Sequence, residues 1–236
     1  MRYVIGIGGL KRAGKDTFAR VLREVATERG FAFVTVAFAD PLRQAAAAAY
    51  GVEVDDFTDD AKKDTACPEW GITYRQMLLN LGVPATLLGG DHDHWVKRWR
   101  IEVDRQQTAL VAEARSIGRH TAAVYSDRLV VAVPDVRRLN EAAAIHDAGG
   151  VNVLVQRPGV EWNGHVTELL AAWATKYGPL DYEDMAQSPD LKQGTWHPVD
   201  TKAREVFDAG ICNDGDVAAL RPRAERVLDM VLKGAK

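Results

Sequence analysis

The stretch Gly9-Leu10-Lys11-Arg12-Ala13-Gly14-Lys15-Asp16-Thr17 sets two glycines, a lysine and a hydroxyl at the spacing of a loop that cradles phosphate. Each residue type has a physical task there. Glycine lets the main chain pass close to an anion with its amides turned inward. A helix starting near Lys15 adds unbonded N–H groups and the positive end of its dipole. Lys15 reaches the terminal phosphates as a compact point charge. The pattern departs from the usual one at Asp16, which stands where Ser or Thr is expected; Thr17 brings the hydroxyl one residue later. Either Asp16 ligates a divalent cation, directly or through water, or it caps local amides while Thr17 holds a phosphate oxygen. The dinucleotide fingerprint is excluded, because Gly6 and Gly8 would need a glycine where Lys11 stands. The expected ligand is a nucleoside triphosphate, held by Gly9, Lys11, Arg12, Ala13, Gly14, Lys15, Asp16 and Thr17.

Transfer of a phosphoryl group from such a loop calls for positive charge around the moving group more than for a base. Arg75, near the start of a helix and followed by Gln76, is placed to clamp an acceptor phosphate. Arg137 follows a strand end, where ligands bind in open α/β sheets; Arg138 is expected on the surface. Asp135, at the same strand end, either holds Mg²⁺ or orients Arg137, or else caps the helix that begins near Leu139. Glu141 either pairs with a nearby arginine or lies solvated on that helix's first turn. Asp40 is read as a ligand of the acceptor and as the N-cap before Pro41, with Arg43 one turn on toward the acceptor phosphate. Arg157, after a strand, is the arginine best placed to stack on a nucleobase. Asp91-His92-Asp93-His94 reads as a polar loop before a helix rather than as a metal site. The cysteines, Cys67 and Cys212, form no Cys-x-x-Cys pair and are expected as free thiols.

These residues need elements to position them. Residues 2–8 form an apolar run into glycines, a buried strand entering a turn. Phe18, Val21, Leu22 and Val25 follow helical spacing up to a stop at Gly30. The run 33–38 predicts a second strand. Further helices are predicted over 40–50, 74–81 (ended by Gly82), 95–116, 139–148, 166–177 and 216–232. Further strands are predicted over 128–133, 151–156 and 209–213, with 55–64 as a loop or frayed helix. Strand alternating with helix implies a parallel sheet covered on both faces, an α/β three-layer fold.

The sequence of 236 residues is 47% hydrophobic and 27% charged, with a net charge of −3. That composition excludes the disordered class and argues against a dedicated nucleic-acid binder. The first apolar run is too short for a secretory signal, and no stretch nears the ~18 apolar residues of a membrane span. No membrane and no nucleic-acid partner, and a cytoplasmic location, are therefore expected. The apolar, aromatic helix from Trp95 to Val103 could serve a homodimer.

Taken in order, several segments resemble the phage deoxynucleoside monophosphate kinases, a branch of the P-loop nucleotide kinases. They are the loop at 9–17, Phe38-Ala39-Asp40-Pro41-Leu42-Arg43, Tyr74-Arg75-Gln76-Met77-Leu78-Leu79-Asn80-Leu81-Gly82, His94-Trp95-Val96, Pro134-Asp135-Val136-Arg137-Arg138-Leu139-Asn140-Glu141 and Ile211-Cys212-Asn213-Asp214-Gly215. The resemblance spans nearly the whole chain. It implies one P-loop kinase domain over 1–236, with an acceptor-binding helical region at about 40–120 and a lid insertion at about 159–200. It also implies transfer of the γ-phosphate of ATP, with Mg²⁺, to a deoxynucleoside monophosphate. Lys15, Arg137, Arg75 and Asp40 would be catalytic, Asp40, Arg43, Arg75, Gln76, Asp135, Arg137 and Glu141 would hold the acceptor, and Asp16, Thr17 and Asp135 the metal. Two departures stand out. The lid arginines have no counterpart that can be placed within 159–200, and Arg138 stands where an aromatic or apolar residue is expected. Two other functions remain open. One is a kinase with an alcohol acceptor, like the dephospho-coenzyme A kinases, in which Asp40 would be the base. The other is a P-loop regulator that binds a nucleotide and acts through a partner.

Overall fold

The computed structural model describes residues 2–59, 61–87, 91–118, 126–162, 164, 168–177 and 206–234. By internal contacts the chain divides into two compact units, one of Met1–Ala37 with Val103–Lys236 and the other of Phe38–Glu102.

The first unit is built on five parallel strands, β1 (Arg2–Gly8), β2 (Ala32–Thr35), β3 (Leu129–Pro134), β4 (Val151–Gln156) and β5 (Ala209–Cys212), in the spatial order β2-β3-β1-β4-β5. Ile5 lies between Ala132 and Val151 in register. The Val- and Ile-rich strands β1, β3 and β4 are almost wholly buried, as strands covered on both faces must be. One face carries Ile5, Ile7, Val130, Ala132, Val153 and Val155. These pack with Phe18, Leu22 and Val25 of α1 (Lys15–Glu28), and with Leu220, Val227 and Val231 of the C-terminal helix Val217–Gly234. The other face meets the helix Leu139–Asp147, whose Ile145 approaches Gly6. This is a three-layer α/β arrangement, a parallel sheet with helices on both faces.

A polar side chain is buried in that second face. Asn152 of β4 donates to the carbonyl of Ala142 at 2.9 Å, and its main-chain N–H donates to Asp208 Oδ2 at 2.7 Å. Asp208 Oδ2 also lies 2.8 Å from His146 Nε2. The same His146 nitrogen lies 3.2 Å from Asn152 Nδ2. Asn152 Oδ1 has no hydrogen-bond partner among the described residues and sits where a side chain on Gly6 would begin.

The second unit is helical: α2 (Asp40–Tyr50), a 3₁₀ turn at Val54–Phe57, α3 (Tyr74–Leu87) and the first part of α4 (His94–Ile117), which crosses the unit boundary at Val103. The remaining helices are α5 (Leu139–Asp147), α6 (Leu169–Tyr177) and α7 (Val217–Gly234). Phe57, Met77, Tyr74, Cys67 and Ala46 form this unit's own core.

Three expectations need correcting. Strand β2 ends at Thr35 rather than Phe38; Val36 still donates its N–H to Ala132 O of β3 at 3.0 Å, and Ala37 and Phe38 are buried beyond the strand. Helix α3 does not stop at Gly82 but runs on to Leu87. A glycine inside a helix costs only about 1 kcal/mol relative to alanine, and here it makes room, since a Cβ would lie 2.9 Å from Leu42 Cδ2 of α2. Asp40 is not the N-cap of α2; that position is Ala39, and no side chain caps it. The segment 178–205, most of the expected lid, lies outside the described residues.

Candidate phosphate-binding site

In an open parallel sheet, ligands bind beyond the carboxyl ends of the strands, where the strand order reverses. Here the chain visits β2 and β3 on one side of β1, then crosses to β4 and β5 on the other. The loop after β1 is the glycine- and lysine-containing one. Its geometry explains its composition. Gly9 has φ of 148° and Gly14 φ of 96°. A side chain on Gly9 would run into the Val155 carbonyl, and one on Gly14 into the Asn213 amide. Gly14 is also the N-cap of α1 and brings no side chain to its first amides, which leaves them available to an anion. Arg12, at φ 68°, completes the turn closed by the Ala13 N–H bond to Leu10 O.

Lys15 sits at the first turn of α1, and its ammonium folds back over the loop. Nζ donates to Gly9 O at 2.9 Å and to Leu10 O at 3.1 Å, and lies 3.5 Å from Asp135 Oδ1. Asp135 follows β3 and adopts φ of 66°, a left-handed conformation that Asp tolerates better than most residues. It holds Arg137 through Nε at 2.8 Å and Nη2 at 2.5 Å. Burial raises the Asp135 carboxyl, but the Arg137 and Lys15 charges outweigh it and hold the group below the ordinary aspartate range. Asp135 is thus ionised and orients both cations. It is not the cap of α5; that position is Arg138, an exposed residue as expected.

Glu141 neither pairs with an arginine side chain nor lies solvated. Its Oε2 accepts the main-chain N–H groups of Arg137 at 2.8 Å and Arg138 at 3.1 Å. Burial pushes its carboxyl up, against the pull of those two amides. It therefore fixes the backbone that presents Arg137.

The remaining residues of the first unit divide by exposure. Lys11, Arg12, Asp16 and Arg157 are exposed and Thr17 half-buried. Asp16, Thr17 and Asp135 are hard oxygen donors, suited to a small divalent cation that keeps waters and phosphate oxygens in its shell. Among the described residues no cluster of three or more His, Cys, Asp and Glu could hold a metal by itself, and Asp91-His92-Asp93-His94 forms none. Asp91 instead binds Lys97 at 3.0 Å, which lowers its carboxyl.

Two side chains that local sequence gave no role reach the loop. Asn213, just past β5, donates from Nδ2 to Ala13 O at 2.9 Å. Glu168, buried just before α6, accepts the Lys11 N–H at Oε2 over 3.3 Å. The signal for either is weak, because the partners are 200 and 157 residues away along the chain.

In the second unit Asp40 pairs with Arg43 at 2.7 Å. Arg43 Nε is buried and has no hydrogen-bond partner among the described residues, which leaves this guanidinium with bonding capacity to spare. Arg75 makes a two-point contact with Asp64, at 2.5 and 3.1 Å. Gln76 is exposed and bonded along its own helix to Asn80. Val96, Trp99 and Val103 are buried within the chain, Trp99 against Phe38. Cys67 and Cys212 are free thiols, and no helix among the described residues is long and apolar enough to cross a membrane.

No protein-family model matches the chain, and no curated protein matches it by sequence. Several solved structures are similar. Dephospho-CoA kinase from Campylobacter jejuni is 16% identical, with a TM-score of 0.41 and 100% of both chains covered. Shikimate kinase from Aquifex aeolicus is 11% identical, with a TM-score of 0.32, covering 100% of this chain and 98% of that one. Shikimate kinase from Acinetobacter baumannii, in complex with shikimate, is 15% identical, with a TM-score of 0.31 and coverages of 99% and 94%. Each is a loose likeness in overall chain path.

Proposed function

We propose that the chain is an ATP-dependent kinase that transfers the γ-phosphate to a small molecule, and that this acceptor is a deoxynucleoside monophosphate. The observation that carries the reading is the Lys15 ammonium, folded over a glycine-bounded loop at an uncapped helix N-terminus and shared with Asp135. That combination binds polyphosphate: the amides of the first turn of α1 and Lys15 supply the positive field, and Arg137 adds a second cation oriented by Asp135. Asp16, Thr17 and Asp135 would hold Mg²⁺, which neutralises phosphate charge when bound. An acceptor phosphate is already anionic, so Arg43 and Arg75 would have only to bind and orient it, and no strong base is required. The orphaned Arg43 Nε fits that task.

The direct test is ADP release from ATP and Mg²⁺ with each deoxynucleoside monophosphate, with Lys15→Ala as control. Acceptor-dependent turnover that the control loses by about 100-fold or more supports the reading. ATP binding without acceptor dependence would reject it in favour of a regulatory module. Asp40→Asn separates the acceptor classes. With a phosphate acceptor it raises the acceptor KM and leaves kcat largely intact; abolished kcat would point to an alcohol acceptor and a carboxylate base.

A further inference from the structure

The Ala13–Gly14 peptide leads into Gly14, the N-cap of α1, and its N–H is among those a polyphosphate would need. A planar trans peptide points its C=O and N–H in opposite directions, and no described residue has a cis bond. Whatever holds the Ala13 carbonyl therefore aims the Gly14 amide. Asn213 holds it, through Nδ2 at 2.9 Å. The carbonyl can only accept, so the amide nitrogen, not the oxygen, faces it. Asn213 is itself fixed, because its main-chain N–H donates to Gln156 O at 2.6 Å at the end of β4. The side chain also lies against the Cα of Gly14, where a Cβ would collide with Nδ2.

We propose that Asn213 is a positioning residue for the phosphate loop: by pinning Ala13 O to the sheet, it turns the Gly14 N–H toward the phosphates before they arrive. The inference rests on the polyphosphate-binding reading of the loop. It separates Asn213 from the exposed arginines Arg12 and Arg157, whose expected contacts are with the nucleotide itself. An ordering contact of this kind acts on every polyphosphate alike, with or without a base.

The test is the equilibrium affinity of the full chain for MgATP and for inorganic tripolyphosphate, in wild type, Asn213→Ala, Asn213→Asp and Lys15→Ala, with unliganded melting temperatures as a folding control. Asn213→Ala is expected to weaken both ligands by the same factor, about tenfold, the size of one lost hydrogen bond. Asn213→Asp keeps the volume but sets a carboxylate against a carbonyl, so it is expected to lose more than alanine does. A residue that only fills space would rank aspartate above alanine, and that order overturns the proposal. Loss for ATP with unchanged tripolyphosphate also overturns it, in favour of a base contact. If neither asparagine variant loses affinity while Lys15→Ala does, this inference alone falls. If Lys15→Ala also binds as wild type does, the polyphosphate reading falls with it. Asn213→Ser, which keeps a hydroxyl donor of shorter reach, takes the place of alanine if that variant does not fold; it must bind better than aspartate, and the reverse order overturns the proposal.

Discussion

Asp135 does two jobs with one carboxylate: it holds Lys15 from one side and Arg137 from the other. Its pKa is lowered in the fold, so its contribution to stability is present above the ordinary aspartate range, about pH 4, and is lost as pH falls below that. Asp135→Asn is a clean probe, since asparagine also tolerates the φ of 66° at this position. The variant is expected to be less stable than wild type at pH 7 and to show a shallower loss in acid. Urea midpoints at pH 7 and pH 3 test this, and parallel losses for the two proteins would rule it out. Glu141 works in the opposite sense. Its carboxyl is raised by burial, so ionising it costs stability that is lost as pH rises through its folded value. Glu141→Gln keeps an acceptor for the two amides without the charge and is expected to match or exceed wild-type stability at pH 7. Glu141→Ala strips the acceptor and is expected to cost about 1 kcal/mol, as loss of a helix cap does; equal stability of the two variants at pH 7 would exclude this account.

Among the elements, those with a strong period were legible in sequence, and those shaped by packing were not. Val4, Ile5 and Ile7 mark β1, and Phe18, Val21, Leu22 and Val25 mark α1, because burial imposes the strand and helix repeats directly. Gly82 misled because its role is room for Leu42, a contact between two helices. Asp40 misled because its carboxylate has a better partner in Arg43 than in the local amides. At the site, Gly9, Gly14 and Lys15 could be read from spacing. Asn213 and Glu168 could not be given roles, because the residues they touch are set by the sheet order rather than by neighbours in sequence. Glu168 carries a prediction of its own. Its carboxylate sits on a main-chain amide of the loop proposed to hold phosphate, where its charge would oppose one. Glu168→Gln keeps the acceptor and removes the charge, so ATP is expected to bind severalfold tighter in an equilibrium titration. Unchanged or weaker binding would mean that the charge is not felt at the site.

For the molecule as a whole, the carboxyl ends of β1, β3, β4 and β5 carry the phosphate loop, Asp135 with Arg137, Arg157 and Asn213, so one edge of the sheet carries this unit's candidate site. Binding there is linked to unfolding by mass action. MgATP at 100 times its dissociation constant adds about 2.7 kcal/mol, which in a chain of this size raises the melting temperature by about 5–10 °C. The shift is expected in wild type and absent in Lys15→Ala; an equal shift in both would place the nucleotide elsewhere. Asn152 and Gly6 bear on a different history. The Asn152 oxygen stands on the Cα of Gly6, on the strand that leads into the loop. A Cβ there would lie 2.1 Å from that oxygen and 2.5 Å from Ile145 Cδ1, so a descendant of this sequence can gain a side chain at position 6 only once both neighbours have given way. Alanine at 6 beside the present Asn152 and Ile145 is a combination that costs this fold stability, so changes at 152 and 145 are expected to precede one at 6.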